Sequence, residues 1–184
     1  GFVLLACLLG TTVNAAFNVA SLVYAGRIDM DEFLTSLITW WVPNAMAGLV
    51  VAPIILAWGS PSPIRWTPQR LIEAAVCAIC LVMGTLMSFN SWFIQGIQNY
   101  PLAYLPYPFM VWGALRFGQR GATTGTLLVS GLAIYALLEG RGPFVTNSER
   151  DSLMLVGSYI GVLSVTNMLL AAAALEREQA EQAV

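Results

Sequence analysis

"PFMVWGALRFGQRGA", residues 108–122, sets two of the chain's eight cationic residues four positions apart between apolar runs. Pro108 suits the first turn of a helix and would break an interior, so the run around it, 102–117, reads as a short or proline-bent membrane helix. Arg116 and Arg120 bracket Phe-Gly-Gln, and Gly121 with Gly125 opens the next apolar run, 121–139. The stretch is therefore an elbow between two membrane helices, with the arginines snorkelling to the interface and meeting lipid phosphates. Trp112 lies one turn before Arg116 and is placed to stack on its guanidinium.

The rest of the chain supports a membrane setting. Eight cationic and ten acidic residues stand against 58% hydrophobic residues in a chain of 184, with no His. A soluble domain carries about 25% charged residues. A net charge of -2 offers no basic surface for nucleic acid. Without imidazole, the commonest general base and transition-metal ligand is missing, so no catalytic residue, metal site or cofactor is expected. Cys7, Cys77 and Cys80 lie in apolar runs and read as packing residues.

About 20 apolar residues cross about 30 Å of hydrocarbon. On that measure the runs 2–24, 33–58, 71–94, 121–139 and 152–175 are spans, and 102–117 is a short sixth. The expected fold is an all-α, polytopic bundle of about six transmembrane helices, the fourth short or bent at proline. Thr67 and Pro68 are the N-cap and first residue of the third helix, Ser148 and Asp151 have capping-box spacing, and Gly140, Gly142 and Pro143 are breakers. Six spans leave both ends on one side. Placing Arg65, Arg70, Arg116, Arg120 and Arg177 in the cytoplasm, with Arg27, Arg141 and Arg150 outside, satisfies the positive-inside rule. The C-terminus is then expected in the cytoplasm.

Polar residues at membrane depth mark the candidate cavity. Thr11, Asn14, Asn18 and Ser21 share one face of the first helix. That face serves either interhelical hydrogen bonds or a ligand cavity. In "WWVPNAMAGLVVAP", Pro43 frees a carbonyl beside Asn44, a pattern used both by binding crevices and by close packing. Asn90 stands offset from a stripe of small and polar residues, Gly84, Ser88, Ser91 and Gln95. Asn14, Asn18, Trp40, Asn44, Asn90 and Trp112 are the candidate cavity residues, with Arg116 and Arg120 at the inner elbow. Glu73 is expected to pair with Arg70, three residues before it.

The opening stretch, the segment "WWVPNAMAGLVVAPIILAW" and the loop "GRGPF" together resemble the first-described membrane-associated sensor domain family of bacteria. The resemblance runs through most of the chain in order. It rests on Pro108, Trp112, Arg116, Phe117 and Gly118, on Gly142, Pro143 and Phe144, and on the Trp40, Gly48 and Pro53 framework. Family members often carry an acid near the position of Asn44, so a hydrogen-bonding role there remains open while a carboxylate role does not transfer. The resemblance implies a noncatalytic input module, residues 1–175, feeding a cytoplasmic output domain: a diguanylate cyclase first, or a histidine kinase. The polar tail "LEREQAEQAV" has no Gly or Pro, so the last helix is expected to continue beyond the membrane as a signalling helix from residue 176. The expected parent is a homodimer joined through output domain and signalling helix, with the lipid bilayer and an unknown small molecule or lipid as partners, and with further residues before Gly1. The competing function is a small transporter or substrate-capture component, which uses the same polar faces.

Overall fold

The computed structural model describes residues 2–59, 67–89 and 102–182. Their regular structure is helical: α1 (Phe2–Tyr24), α2 (Phe33–Gly59), α3 (Pro68–Phe89), α4 (Tyr107–Leu138) and α5 (Glu149–Gln182), with 3-10 turns at Met30–Glu32 and Leu102–Tyr104. Contacts divide the chain into two compact units, Gly1–Pro53 and Ile54–Val184.

In the first unit, α1 ends where Gly26 adopts φ 67°, a left-handed conformation that a side chain resists. Gly26 N–H reaches the Val23 carbonyl at 2.9 Å and Arg27 N–H the Leu22 carbonyl at 2.9 Å, which satisfies the last carbonyls of the helix. α2 continues through Pro43 and Pro53. Each proline lacks the N–H that would bond the carbonyl four residues back, at Thr39 and Leu49. The Trp41 indole N–H donates to Thr12 Oγ1 at 2.8 Å and ties α2 to α1.

The second unit is built on α3, α4 and α5. Thr67 caps α3 as expected, its Oγ1 accepting from Arg70 N–H at 3.3 Å, with Pro68 at the first helical position. Inside α4, Gly118 takes φ 60° and ψ -144°, a region open essentially to glycine. The chain doubles back there. A Cβ at Gly121 would overlap the Gly113 carbonyl oxygen and come within 2.6 Å of Phe117 Cβ, a closeness no straight helix permits eight residues apart. Both arms lie on α3: Phe109 of the first meets Gly84, and Gly125 of the second meets Leu81. Ala114, Ala122 and Ala171 are buried together where the two arms and α5 converge, their small side chains allowing the close approach.

The second arm ends as α1 does, with Gly140 at φ 67° and Arg141 N–H bonded to the Ala136 carbonyl at 2.8 Å. α5 begins at Glu149 after Ser148, whose Oγ accepts from Asp151 N–H at 3.4 Å, one half of the expected capping box.

Among the described residues four helices are long and apolar enough to cross a membrane: Met30–Gly59, Pro68–Phe89, Tyr107–Leu138 and Glu149–Arg177. The six expected crossings are not reached by that count. The expected fourth and fifth spans are the two arms of α4. The first arm, 107–117, extends roughly 16 Å at about 1.5 Å per residue, half of the hydrocarbon thickness. Leu8–Tyr24 of α1 forms a shorter apolar segment. At 34 residues, α5 is the longest helix, running about 51 Å.

Candidate functional site

The reversal at Gly118 leaves a cavity of about 610 Å³ beside it, within the second unit. α3, both arms of α4 and the C-terminal part of α5 line it, together with Ala57 and Trp58 at the end of α2. Glycine accounts for much of the opening. Gly113, Gly118, Gly121 and Gly125 all border the cavity and place no side chain in it.

Three arginines define its polar part: Arg70, Arg116 and Arg120. Arg116 grips Glu73 with two nitrogens, Nε to Oε2 at 2.8 Å and Nη2 to Oε1 at 2.9 Å. A bidentate pair of this kind fixes the guanidinium plane as well as its position. The expected pairing of Glu73 with Arg70 is therefore corrected: the fold-back carries Arg116 to Glu73, and its planar fork meets both carboxylate oxygens. Arg120 Nε donates to the Ala57 carbonyl at 2.9 Å, and its guanidinium lies 5.7 Å from the centre of the Trp58 ring. Trp58 Nε1 donates in turn to Thr124 Oγ1 at 3.1 Å. The stacked arginine of the elbow is thus Arg120 on Trp58, whereas the spacing pointed to Arg116 on Trp112. Trp112 is 37% exposed.

Deeper in, the cavity turns apolar along Cys77, Ala78, Leu81, Met110 and Leu128. Cys77 is buried, and its thiol donates to the Phe109 carbonyl at 3.5 Å, in keeping with the packing role expected of it.

Asn14, Asn18, Trp40 and Asn44 belong to the first unit, and Asn90 lies outside the described residues. Asn18 Nδ2 donates to the Asn14 carbonyl at 2.8 Å and to Asn14 Oδ1 at 3.0 Å, which links the two amides along α1. Asn44 Nδ2 donates to the Trp40 carbonyl at 2.7 Å, within α2. Trp40 is 47% exposed.

The resemblance motifs acquire physical roles. Pro108 occupies the first turn of α4, Phe117 and Gly118 form the reversal, and Pro53 lies inside α2. Gly142 has φ 101°, and a Cβ there would meet Phe89 Cδ1 at 3.1 Å, so Gly-Pro-Phe lets the loop close over the end of α3. Phe144 then packs on Phe89 and Tyr159, with ring centres 5.8 and 5.1 Å apart.

Asn167 was missed from sequence. It is buried on α5, and its Nδ2 donates to the Ala122 carbonyl at 2.8 Å and to Thr126 Oγ1 at 3.1 Å on the second arm. Its signal was available, since it is the lone amide inside the run "VGSYIGVLSVTNMLLAAAA".

The second unit thus gathers arginines and an apolar-walled cavity beside a long helix, in a chain whose described helices include four long and apolar enough to cross a membrane. The chain belongs to the MASE1 family of membrane-associated sensor domains, whose profile matches residues 1–178. MASE1 domains are sensory inputs of signalling proteins and not catalytic units. No curated protein and no solved structure matches the chain.

Proposed function

We propose that residues 1–175 form a bacterial inner-membrane sensor that relays a small-molecule or lipid signal through the helix from residue 176 onward to a cytoplasmic output domain of the diguanylate cyclase class. The observation that carries this reading is α5: one unbroken helix, Glu149–Gln182, whose Ala174 and Leu175 border the elbow cavity and whose next residues are polar. At about 51 Å it exceeds the hydrocarbon by roughly 20 Å, so displacement at the cavity is transmitted along a stiff rod. A flexible linker would dissipate it.

The arginine distribution supports a cytoplasmic elbow. Arg70, Arg116 and Arg120 border the cavity alongside the end of α5, and Arg177 follows on that helix. Arg141 and Arg150 belong to the opposite end, where α5 begins. This asymmetry favours an inside elbow. Reading the two arms of α4 as separate membrane segments preserves the six-segment topology, with the first arm as its short fourth segment. The asparagine pairs of the first unit and Trp112 remain proposed signal-cavity residues, with Arg116 and Arg120 as the inner elbow. The proposed assembly is a homodimer through the signalling helix.

The test inserts seven residues after Leu175 in the full-length protein, either helix-forming or Gly-Ser. Cyclic di-GMP is measured by mass spectrometry against phosphorylated histidine as the kinase readout. The helical insertion is expected to keep regulated output and the Gly-Ser insertion to uncouple it. Equal regulation in both would overturn the relay, and phosphohistidine in place of cyclic di-GMP would assign the kinase output. Uptake by proteoliposomes would favour the transporter.

A further inference from the structure

We infer that the elbow cavity is a binding site for an anionic amphiphile, with a phosphate-type headgroup held by Arg70, Arg116 and Arg120 and an acyl chain laid along Leu81, Met110 and Leu128. This deepens the sensor reading by naming a ligand class, and it rests on that reading only for its consequence in signalling.

Charge sets the headgroup. Three guanidinium groups border the cavity and no acidic residue does, among the described residues. Glu73 pairs with Arg116 and offsets its charge, so the net positive charge at the cavity rests on Arg70 and Arg120, while Glu176 and Arg177 follow Leu175 on α5 and offset one another. The arginines are also oriented. Arg116 is fixed through Nε and Nη2 on Glu73, and Arg120 is set by the Ala57 carbonyl and the Trp58 ring. A guanidinium carries five N–H donors in a rigid fork suited to phosphate and carboxylate oxygens, so anchoring one edge of Arg116 on Glu73 aims its other edge, while Arg120 adds positive charge at a fixed place. Half of the Arg116 side chain, 55%, is exposed.

Shape sets the tail. From Arg70 to Leu81 the cavity follows α3 for roughly 16 Å at about 1.5 Å per residue. Along that length its lining changes from arginine and Gln119 to Cys77, Ala78 and Leu81. A free inorganic anion would leave this apolar part without a partner. A volume of about 610 Å³ accommodates the glycerol region and part of a chain. Bare glycine backbone on both arms of α4 lets a chain lie close: a Cβ at Gly125 would sit only 3.5 Å from Leu81 Cδ2. Ala174 and Leu175 complete the wall, so an occupant touches α5 at the point where its apolar part ends.

The full-length protein, purified in mild detergent, is offered palmitoyl-oleoyl phosphatidylglycerol, phosphatidylcholine with the same chains, or inorganic phosphate. Retained lipid is counted by native mass spectrometry. Phosphatidylglycerol is expected to be retained at least about tenfold better than phosphatidylcholine, as loss of a charge-assisted contact implies, and millimolar phosphate is expected not to displace it. Arg70→Gln removes a headgroup contact while leaving both hydrogen bonds of the Arg116–Glu73 pair in place, and is expected to weaken retention about tenfold. Ala78→Phe fills the apolar part and is expected to weaken it similarly. Arg150→Gln, at the far end, is expected to change nothing, and unchanged thermal unfolding of each variant confirms folding. Equal retention of the two lipids, or indifference to both Arg70→Gln and Ala78→Phe, would overturn the site. Displacement by phosphate together with indifference to Ala78→Phe would overturn the amphiphile in favour of a free anion. Lipid bound as expected with no change in output would leave the site standing and sink its role in signalling.

Discussion

At one end of the second unit the rings of Phe89, Tyr104, Tyr107, Phe144 and Tyr159 meet at centre distances between 5.1 and 6.4 Å. At the other end, glycines and alanines bring helix backbones together beside an arginine-bordered cavity. Aromatic side chains each bury about 150–250 Å² and hold preferred tilted geometries, so the first arrangement fills space and fixes helix positions. The Tyr159 hydroxyl adds a bond to the Ala103 carbonyl at 2.9 Å. Small residues do the reverse at the elbow. They permit close backbones in one place and leave volume beside it. α5 is thus clamped near its start and borders open space near its exit, the distribution a lever needs.

The sharpest way to break this contrast is to fill the elbow. Gly121→Leu would drive a side chain into the Gly113 carbonyl, which is backbone and has no rotamer to retreat to. The two arms of α4 cannot then close, and the expected result is loss of monodisperse protein in detergent. Next comes the aromatic end. Phe89 is 3% exposed and touches both Phe144 and Tyr159. Phe89→Ala is expected to cost about 3–5 kcal/mol in reversible unfolding, from lost burial and the void left behind. If the ends are separable, its residual folded fraction retains phosphatidylglycerol as the native chain does.

Gly118→Ala tests the reversal itself. Its φ of 60° with ψ of -144° is the conformation a Cβ resists, although nothing lies within 4 Å of the added carbon. The cost is therefore backbone strain alone, about 1–3 kcal/mol. Unlike Phe89→Ala, this change is expected to reduce lipid retention along with stability, because the elbow shapes the cavity.

Local patterns explain why much of the fold was legible in sequence. The ends of α1 and α2, the Thr67 cap and the Gly140 stop depend on residues within a turn of one another. So does the elbow, since Gly118 and its flanking arginines announce it. What could not be read was register between distant helices. Nothing local says that Arg116 meets Glu73 rather than passing it, or that Trp58 finds Arg120 and Thr124 across more than sixty positions. Nor does a count of polar residues say that Asn18 bonds Asn14, or Asn44 the Trp40 carbonyl, along its own helix.

Among the described residues Asn167 is an amide that crosses between helices, and it separates polar burial that holds α5 from polar burial that merely loosens it. Its Nδ2 binds the Ala122 carbonyl and Thr126 Oγ1, one turn from the buried Ala171. Ser130 and Ser164 are also buried on α4 and α5, yet their hydroxyls have no hydrogen-bond partner among the described residues. Interhelical hydrogen bonds in membrane proteins contribute about 0.6 kcal/mol on average and about 1.7 at most. Asn167→Leu should therefore lower stability by about that range. Ser164→Ala removes an unsatisfied group and is expected to be neutral or slightly stabilising. A double cycle with Thr126→Val, followed by unfolding in detergent, isolates the Asn167 contact from the loss of side-chain shape. Coupling near zero would mean that α5 is held on α4 by its small-residue packing alone, and that the clamp is confined to the aromatic end.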